Sequence, residues 1–219
     1  ADHMKLTGKD LLGLGLIGTS EAIAALQRLA LATRHNGVRT RINAALDAAA
    51  ERSGLTRGQL VERTVSTEGF DDDGIRRVDA APALARLVIE SPGAVRLEWA
   101  ASGGWTTSAG PDIDKGSVVG ARRELKAARM NVAAERLRLE GLLGTDRTWP
   151  YDEWRRYYRD HPVTGALARS LIWSFSDSNG AEVIGMPMAG DQVLGADNEE
   201  RQAAGESNVR LWHPAQAST

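Results

Sequence analysis

The chain has 219 residues, 42% of them hydrophobic, which is enough for one large domain or two small ones with a real apolar core and no covalent staples. Lys and Arg number 27 against 29 Asp and Glu, so no global field draws the chain to nucleic acid or an anionic membrane, and any such partner has to be met by a local patch. The absence of cysteine excludes disulfides, thiolate metal sites and a cysteine nucleophile, and no apolar run approaches the roughly 18 residues of a membrane span, so the expectation is a non-exported, cytoplasmic protein with no membrane partner.

The opening ADHM reads as a cloning remnant with Met4 as a start or junction, so the chain is expected to be an excised piece of something longer, and Ala1–His3 are set aside. From Leu6 to Val65 the pattern is helical, in short antiparallel pieces. GLGLIG at Gly13–Gly18 has the outline of a phosphate loop, but no strand feeds it and the P-loop lysine is missing, so a helix-connecting loop is the better description. Ile23, Leu26 and Ala30 recur at helical spacing behind Thr19 and Ser20, either of which can cap the first turn. After RHNG, a second helix places Val38, Ile42, Ala45, Leu46 and Ala49 on one face and stops at Gly54. Thr56 and Gln59 then form a T-x-x-Q capping box for a shorter helix. Small side chains let these helices approach, which is the look of a HEAT-like helical pair.

Between Phe70 and Pro111 the character changes. DDDG at 71–74 marks a turn, because three consecutive Asp lack the alternating ligand spacing and distant Glu of a calcium loop. ALARLVIE and AVRLEW read as strands of a hairpin across Ser91-Pro92-Gly93-Ala94, and GGWTTSAGPDIDKGS as a polar, mobile connection. A long helix is expected over about Val118–Leu143, with Leu125, Ala128, Val132 and Leu139 in one strip and Met130 with Leu137 nearly opposite, as in a helix sandwiched between neighbours. WPYDEWRRYYRDHP holds all three tyrosines and two of the six tryptophans, with Pro150 suited to a first helical turn and His161-Pro162 as the break. VTGALARSLIW resumes as a helix with Val163, Leu167 and Leu171 inward. The C-terminal part is β: IWSFSD and EVIGMPM pair across Asn179-Gly180, where both turn residues would take positive φ, and Gln192–Leu194 and Val209–Trp212 are further strands around the acidic loop ADNEERQAAGES.

The runs GLTRGQLVERTVSTEGFDDDGIRRVDAAP, RTWPYDEWRRYYRDHPVTGALARSLIW and VRLWHP resemble the domain of unknown function 4132 family of bacterial proteins, a likeness that extends from roughly Gly8 to Pro214. The resemblance implies relatives that are long, often carry helical repeats and sometimes a WGR domain, and include ones described as molybdate metabolism regulators. No WGR segment is read in this chain, and the resemblance brings no catalytic set with it. The acidic loop and the connection at 101–117 depart most from that pattern.

The fold class read from these elements is α+β: HEAT-like antiparallel helical pairs over 4–66, then an α+β domain over 67–219 with β-hairpins, two or three helices and a C-terminal antiparallel meander. Trp154, Tyr157 and Tyr158 share a helical face and, with Trp173 and Trp212, are read as structural anchors, while Arg155, Arg156 and Arg159 spread over the remainder, snorkelling or pairing with Asp152, Glu153 and Asp160. The alternative is stacking of those rings on bases with Arg on phosphate. Arg122, Lys126, Arg129 and Arg136 fall in a narrow arc of the long helix, where 122–138 holds six basic and two acidic residues. That stripe can track phosphates, or it can be a solvated edge or pair with Asp197–Glu200. Asp160, His161 and His213 are candidates for proton transfer or a shared metal site at two His-Pro corners, although His161 before a proline is read first as a cap on the preceding helix. No metal site or cofactor is inferred. The leading expectation is a non-enzymatic interaction and scaffolding module with a protein partner, nucleic-acid binding is the alternative, an enzyme or metal site the second, and the sequence does not fix the oligomeric state.

Overall fold

A computed structural model describes residues 13, 15–16, 18–203 and 208–214, and the chain divides between Ser66 and Thr67 into two compact units. The first is helical. α1 (Ser20–Ala32) starts where Thr19 accepts the Ala22 N–H at 3.3 Å, and α2 (Asn36–Arg52) follows after a three-residue connector. α3 (Arg57–Arg63) opens on the reciprocal Thr56–Gln59 box. Ile23 and Leu26 of α1 meet Ile42, Ala45, Leu46, Ala49 and Ala50 of α2 and Leu60 of α3, and this is the core of the unit. Val38 is 37% exposed, because it lies in the first turn of α2, ahead of the buried stripe. Gly13, Gly15 and Leu16 are helical rather than loop, with the Gly15 carbonyl accepting from Arg52; the rest of the expectations for Leu6–Leu12 lie outside the described residues.

In the second unit every strand pairing is antiparallel, as expected of an α+β fold. DDDG is a turn in which the Asp71 carboxylate accepts the Ile75 N–H at 2.8 Å. It feeds β1 (Ile75–Ala80), β2 (Ala83–Glu90), β3 (Ala94–Ala101) and β4 (Gly104–Thr106), a sheet in sequence order. β4 occupies part of the stretch expected to be a mobile connection, with Trp105 registered on Ala100. One face of this sheet carries Val78, Leu87, Ile89, Val95, Leu97 and Trp99, and α4 (Lys115–Leu142) lays Ala121, Ala128, Val132 and Leu139 into the same core. α4 begins three residues before the expected start because Asp114 accepts the Ser117 N–H at 2.9 Å as N-cap. Met130 and Leu137 are 63% and 57% exposed, so the helix is not sandwiched.

The second sheet runs β5 (Thr148–Pro150), β10 (Asn208–Leu211), β6 (Trp173–Ser176), β7 (Glu182–Pro187), β8 (Gln192–Leu194) and β9 (Glu200–Gln202) in spatial order. β9 lies within the acidic stretch expected to be loop. Between β6 and β7 the turn spans five residues, 177–181, and only Gly180 takes positive φ: Asp177 accepts the amides of Asn179 and Ala181 and closes the turn in place of a two-residue Asn-Gly corner. Ala204–Ser207 and Ala215–Thr219 lie outside the described residues. The segment from β5 continues into α5 (Tyr151–Trp154), a π-helical turn (Arg155–Arg159) and α6 (Pro162–Ala168).

The β2–β3 turn is where sheet and helices meet. Gly93 has φ +93°, and a Cβ there would run into the Leu167 side chain of α6 and come within 3.1 Å of Val132 of α4. Gly93→Ala is expected to destabilise the second unit by about 1–3 kcal/mol through backbone strain and overpacking. Thermal unfolding checks this; an unchanged midpoint would contradict the packing of that turn.

Candidate functional site

The aromatic-rich segment is positioned from within. Trp149, Tyr151, Trp154 and Tyr158 are buried, as are Trp173 and Phe175 of β6, and the rings meet at centroid distances from 4.9 Å (Trp149 to Tyr158) to 6.4 Å (Tyr151 to Phe175), edge to face except for the tilted Tyr151–Trp154 pair. Tyr157 and Trp212 are half-buried. An α-helix of the same residues would turn Arg159 away from this cluster, but the π turn, closed by the Asp160 N–H donating to the Arg155 carbonyl at 2.8 Å, advances less per residue and swings Arg159 inward.

Arg159 is 8% exposed and organises a polar hub. Its Nε donates to Asp160 Oδ1 at 2.7 Å, and its Nη1 to Asp191 Oδ1 at 2.7 Å, to the Tyr151 hydroxyl at 3.1 Å and to the Gly190 carbonyl. The Tyr151 hydroxyl in turn donates to Asp191 Oδ1 at 2.7 Å. Desolvation first, and the bond to Asp191 second, push the Tyr151 phenol up to about 12. Bonds from Arg159 and then Tyr151 hold the Asp191 carboxyl below its ordinary value, and for Asp160 the pairing with Arg159 and Arg155 outweighs the opposing cost of burial. Arg155 reaches Asp160 at 3.0 Å, and Arg156 lies over the Tyr157 ring at 5.3 Å. Of the three arginines set off the aromatic face, Arg155 and Arg159 pair with Asp160 as expected, and Arg159 is in addition buried.

A second buried network ties α4 to this segment. Glu135 pairs with Arg138 at 2.6 Å and accepts from the Thr164 hydroxyl at 2.8 Å, while Arg138 Nη1 donates to the Tyr158 hydroxyl at 3.3 Å. Sequence reasoning placed Arg138 only in a charge count. The signal that finds it is Glu135 three residues before it, on the buried side of the helix.

His161 caps the helix after it, not the one before: its Nδ1 accepts the Thr164 N–H at 3.1 Å at the N-terminus of α6. Asp160 points to the arginines instead. His213 is exposed, and among the described residues no group of three or more His, Cys, Asp or Glu is placed to hold a metal ion.

The basic stripe of α4 is split by its surroundings. Arg129 Nε donates to the Val95 carbonyl at 3.1 Å and Arg136 Nη2 to the Pro92 carbonyl at 2.6 Å, so both clip the helix to the β2–β3 hairpin. Arg122 and Lys126 are exposed and have no partner among the described residues. The acidic loop does not pair with the stripe: Asp197 and Glu199 both take Arg201 of their own loop. Along the outer side of α4, Val119, Met130 and Leu137 are 68%, 63% and 57% exposed, and spacings of 11 and 7 residues set them in one row.

Residues 114–219 match the family model described as Domain of unknown function (DUF4132). The phrases at 147–173 and 209–214 lie inside that match, and the phrase at 54–82 lies outside it. No curated protein matches the chain, and no solved structure matches it.

Two outcomes follow from the hub and the cap. Asp160 and Asp191 have carboxyls depressed in the folded state, so their contribution is present above the ordinary carboxylate value and is lost as pH falls through the lower folded values. Tyr151, raised to about 12, contributes stability below about pH 10 that is lost as pH rises toward 12. Denaturant titrations across pH on the wild type and on Asp191→Asn are expected to show both flanks reduced in the variant; identical profiles would remove Asp191 from the hub. His161→Ala is expected to cost about 1 kcal/mol and His161→Asn, which can still cap, clearly less. Equal losses in the two would show that the cap contributes nothing.

Proposed function

We propose, from the premise that residues 114–219 belong to the DUF4132 family, that this chain is a non-enzymatic interaction and scaffolding module of an intracellular bacterial protein, with a protein as its partner. The observation that carries the reading is the apolar row Val119, Met130 and Leu137, laid over the solvent side of a 28-residue helix whose other side is packed in the core. Single exposed apolar residues are ordinary, whereas three in register on one rigid helix make a contact line for another chain. The helices before Ser66 add a HEAT-like pair to the same reading, a shape suited to presenting a surface. The division into a helical segment over 4–66 and an α+β domain over 67–219 belongs to this reading as well.

A specific observation also favours nucleic acid as a second reading: Arg122 and Lys126 stand exposed without a partner among the described residues, with Arg156 as a further cation. Against it, Arg159 is buried, Arg155 is neutralised by Asp160, and Arg129 and Arg136 are held to the hairpin, so fewer of the seven basic residues of that reading are free to follow a phosphate backbone.

A photo-crosslinking residue at position 130 is expected to capture a discrete protein in bacterial lysate, and Val119→Glu with Leu137→Glu to abolish the adduct while leaving the circular dichroism and Tm unchanged. An adduct unaffected by both charges would end the protein-surface reading. Oligonucleotide titrations at two salt concentrations decide the second reading: salt-sensitive binding lost on Arg122→Glu, Lys126→Glu and Arg129→Glu would replace the first.

A further inference from the structure

β1 is an edge strand, paired with β2 on one side only. It has six residues, whereas the other three sheet edges, β4, β5 and β9, have three each, and β5 ends in Pro150. Short strands and prolines blunt a sheet edge, and β1 has neither.

The phase of its pairing follows from one bond, the Ile89 N–H donating to the Gly74 carbonyl at 2.9 Å. Bonded and non-bonded pairs alternate along an antiparallel ladder, so Arg76, Val78 and Ala80 turn their backbone groups to β2, and Ile75, Arg77 and Asp79 turn theirs outward. The outward groups of Ile75 are already taken: its N–H donates to Asp71 Oδ1 at 2.8 Å and its carbonyl accepts the Asp71 N–H at 2.9 Å. Those of Arg77 and Asp79, both exposed, have no partner among the described residues.

Along this open edge runs a cavity of about 540 Å³, walled by Arg76–Asp79 on one side and by Gly120, Arg123 and Glu124 of α4 on the other, with Glu68 and Gly69 completing the lining. Gly120 leaves room, since a Cβ there would meet nothing within 4 Å. Charge chooses the occupant. Arg77 registers against Arg86, which is committed to Glu98 at 2.9 Å, and Arg123 has no partner among the described residues, so two guanidiniums stand uncompensated at the groove. The Glu124 carboxylate is matched by Arg76 at 3.0 Å and half-buried Glu68 is not free, which leaves Asp79 as the exposed charge opposing them.

We propose that the groove between β1 and α4 takes an extended acidic peptide of a partner protein as an added strand, pairing with the backbone of Arg77 and Asp79 and setting its carboxylates on Arg77 and Arg123. Unpaired main-chain groups at strand spacing beside a helix are the geometry of strand addition, with the backbone giving affinity and alternate side chains giving selection. The proposal deepens the interaction reading and rests on it in taking a protein as partner, but it uses the flank of α4 beside β1, at Gly120, Arg123 and Glu124, rather than the outer row.

The probe is a mixture of capped octapeptides in which Glu or Asp occur at both odd and even positions among Ala, Val, Leu and Ile, added to the full chain. At near-saturation the amides of Arg77 and Asp79 are expected to exchange hydrogen about tenfold more slowly. The same peptides N-methylated at alternate residues, with charge intact, are expected to protect neither. Asp79→Pro, which removes an outward N–H and no β1–β2 bond, and Arg123→Glu are both expected to weaken binding. Unchanged exchange at millimolar peptide, or equal protection by the N-methylated set, overturns the proposal, and the latter comparison leaves the protein unaltered. Leu137→Glu, about four helical turns from Arg123, is expected to leave this protection intact, so the failure of the outer row and the failure of the groove are read separately.

Discussion

The second unit depends on one packed cluster, the six rings of Trp149, Tyr151, Trp154, Tyr158, Trp173 and Phe175. Each edge-to-face pair contributes about 0.5–1.5 kcal/mol beyond the area it buries. The rings come from β5, α5, the π turn and β6, so the cluster joins the second sheet to the helical segment that crosses it. Trp173 also donates its indole N–H to the Ala168 carbonyl at 2.9 Å, while Trp149 and Trp154 bury theirs with no acceptor among the described residues. For these two, packing has prevailed over polar satisfaction, whose loss costs about 1–3 kcal/mol for each group. Rings committed in this way are not available to stack on bases.

The π turn follows from the cluster. Tyr151, Trp154 and Tyr158 fall on one side of an ordinary helix, but Arg159 then points elsewhere, and the carboxylates of Asp160 and Asp191 lose the cation that holds them together. Widening one turn brings Arg159 beside Tyr151 while Tyr158 stays buried, at the cost of less regular hydrogen bonding. A buried guanidinium is tolerable only when its donors are filled. Here Asp160, Asp191, Tyr151 and the Gly190 carbonyl fill them.

Much of this was legible in the sequence where local chemistry decides the outcome. The Thr56–Gln59 box, the Thr19 cap, the DDDG turn, the β2–β3 hairpin and the β6–β7 pairing are local, and they fold as their residues dictate. What escaped depends on context. A period of 3.6 sets Arg159 off the aromatic face and allows its pairing with Asp160, but cannot register the widened turn that buries it. Met130 and Leu137 suggested a second packed neighbour because periodicity reports an apolar face without saying what covers it. IRRVDA drew no strand assignment, since only Val78 and Ala80 of its six residues are buried and its pairing comes from β2. His161 was set on the wrong helix because a histidine before proline can serve either neighbour, and only the Thr164 amide decides.

α4 gives these parts a common frame. Its inner side is buried against the first sheet, Glu135 and Arg138 hold it to α6 and the π turn, and Arg129 and Arg136 fix it to the hairpin carbonyls. Anchored at points spread over its length, the helix has little freedom left to lose, so a partner that meets its outer row or the groove beside β1 spends little of its binding energy on ordering this side of the contact. The same anchoring explains the uneven stripe. Arginines that reach the hairpin carbonyls hold the scaffold in place, and Arg122, Arg123 and Lys126, which do not reach them, are left exposed. Their position on the helix, rather than their number, separates surface charge from structural charge.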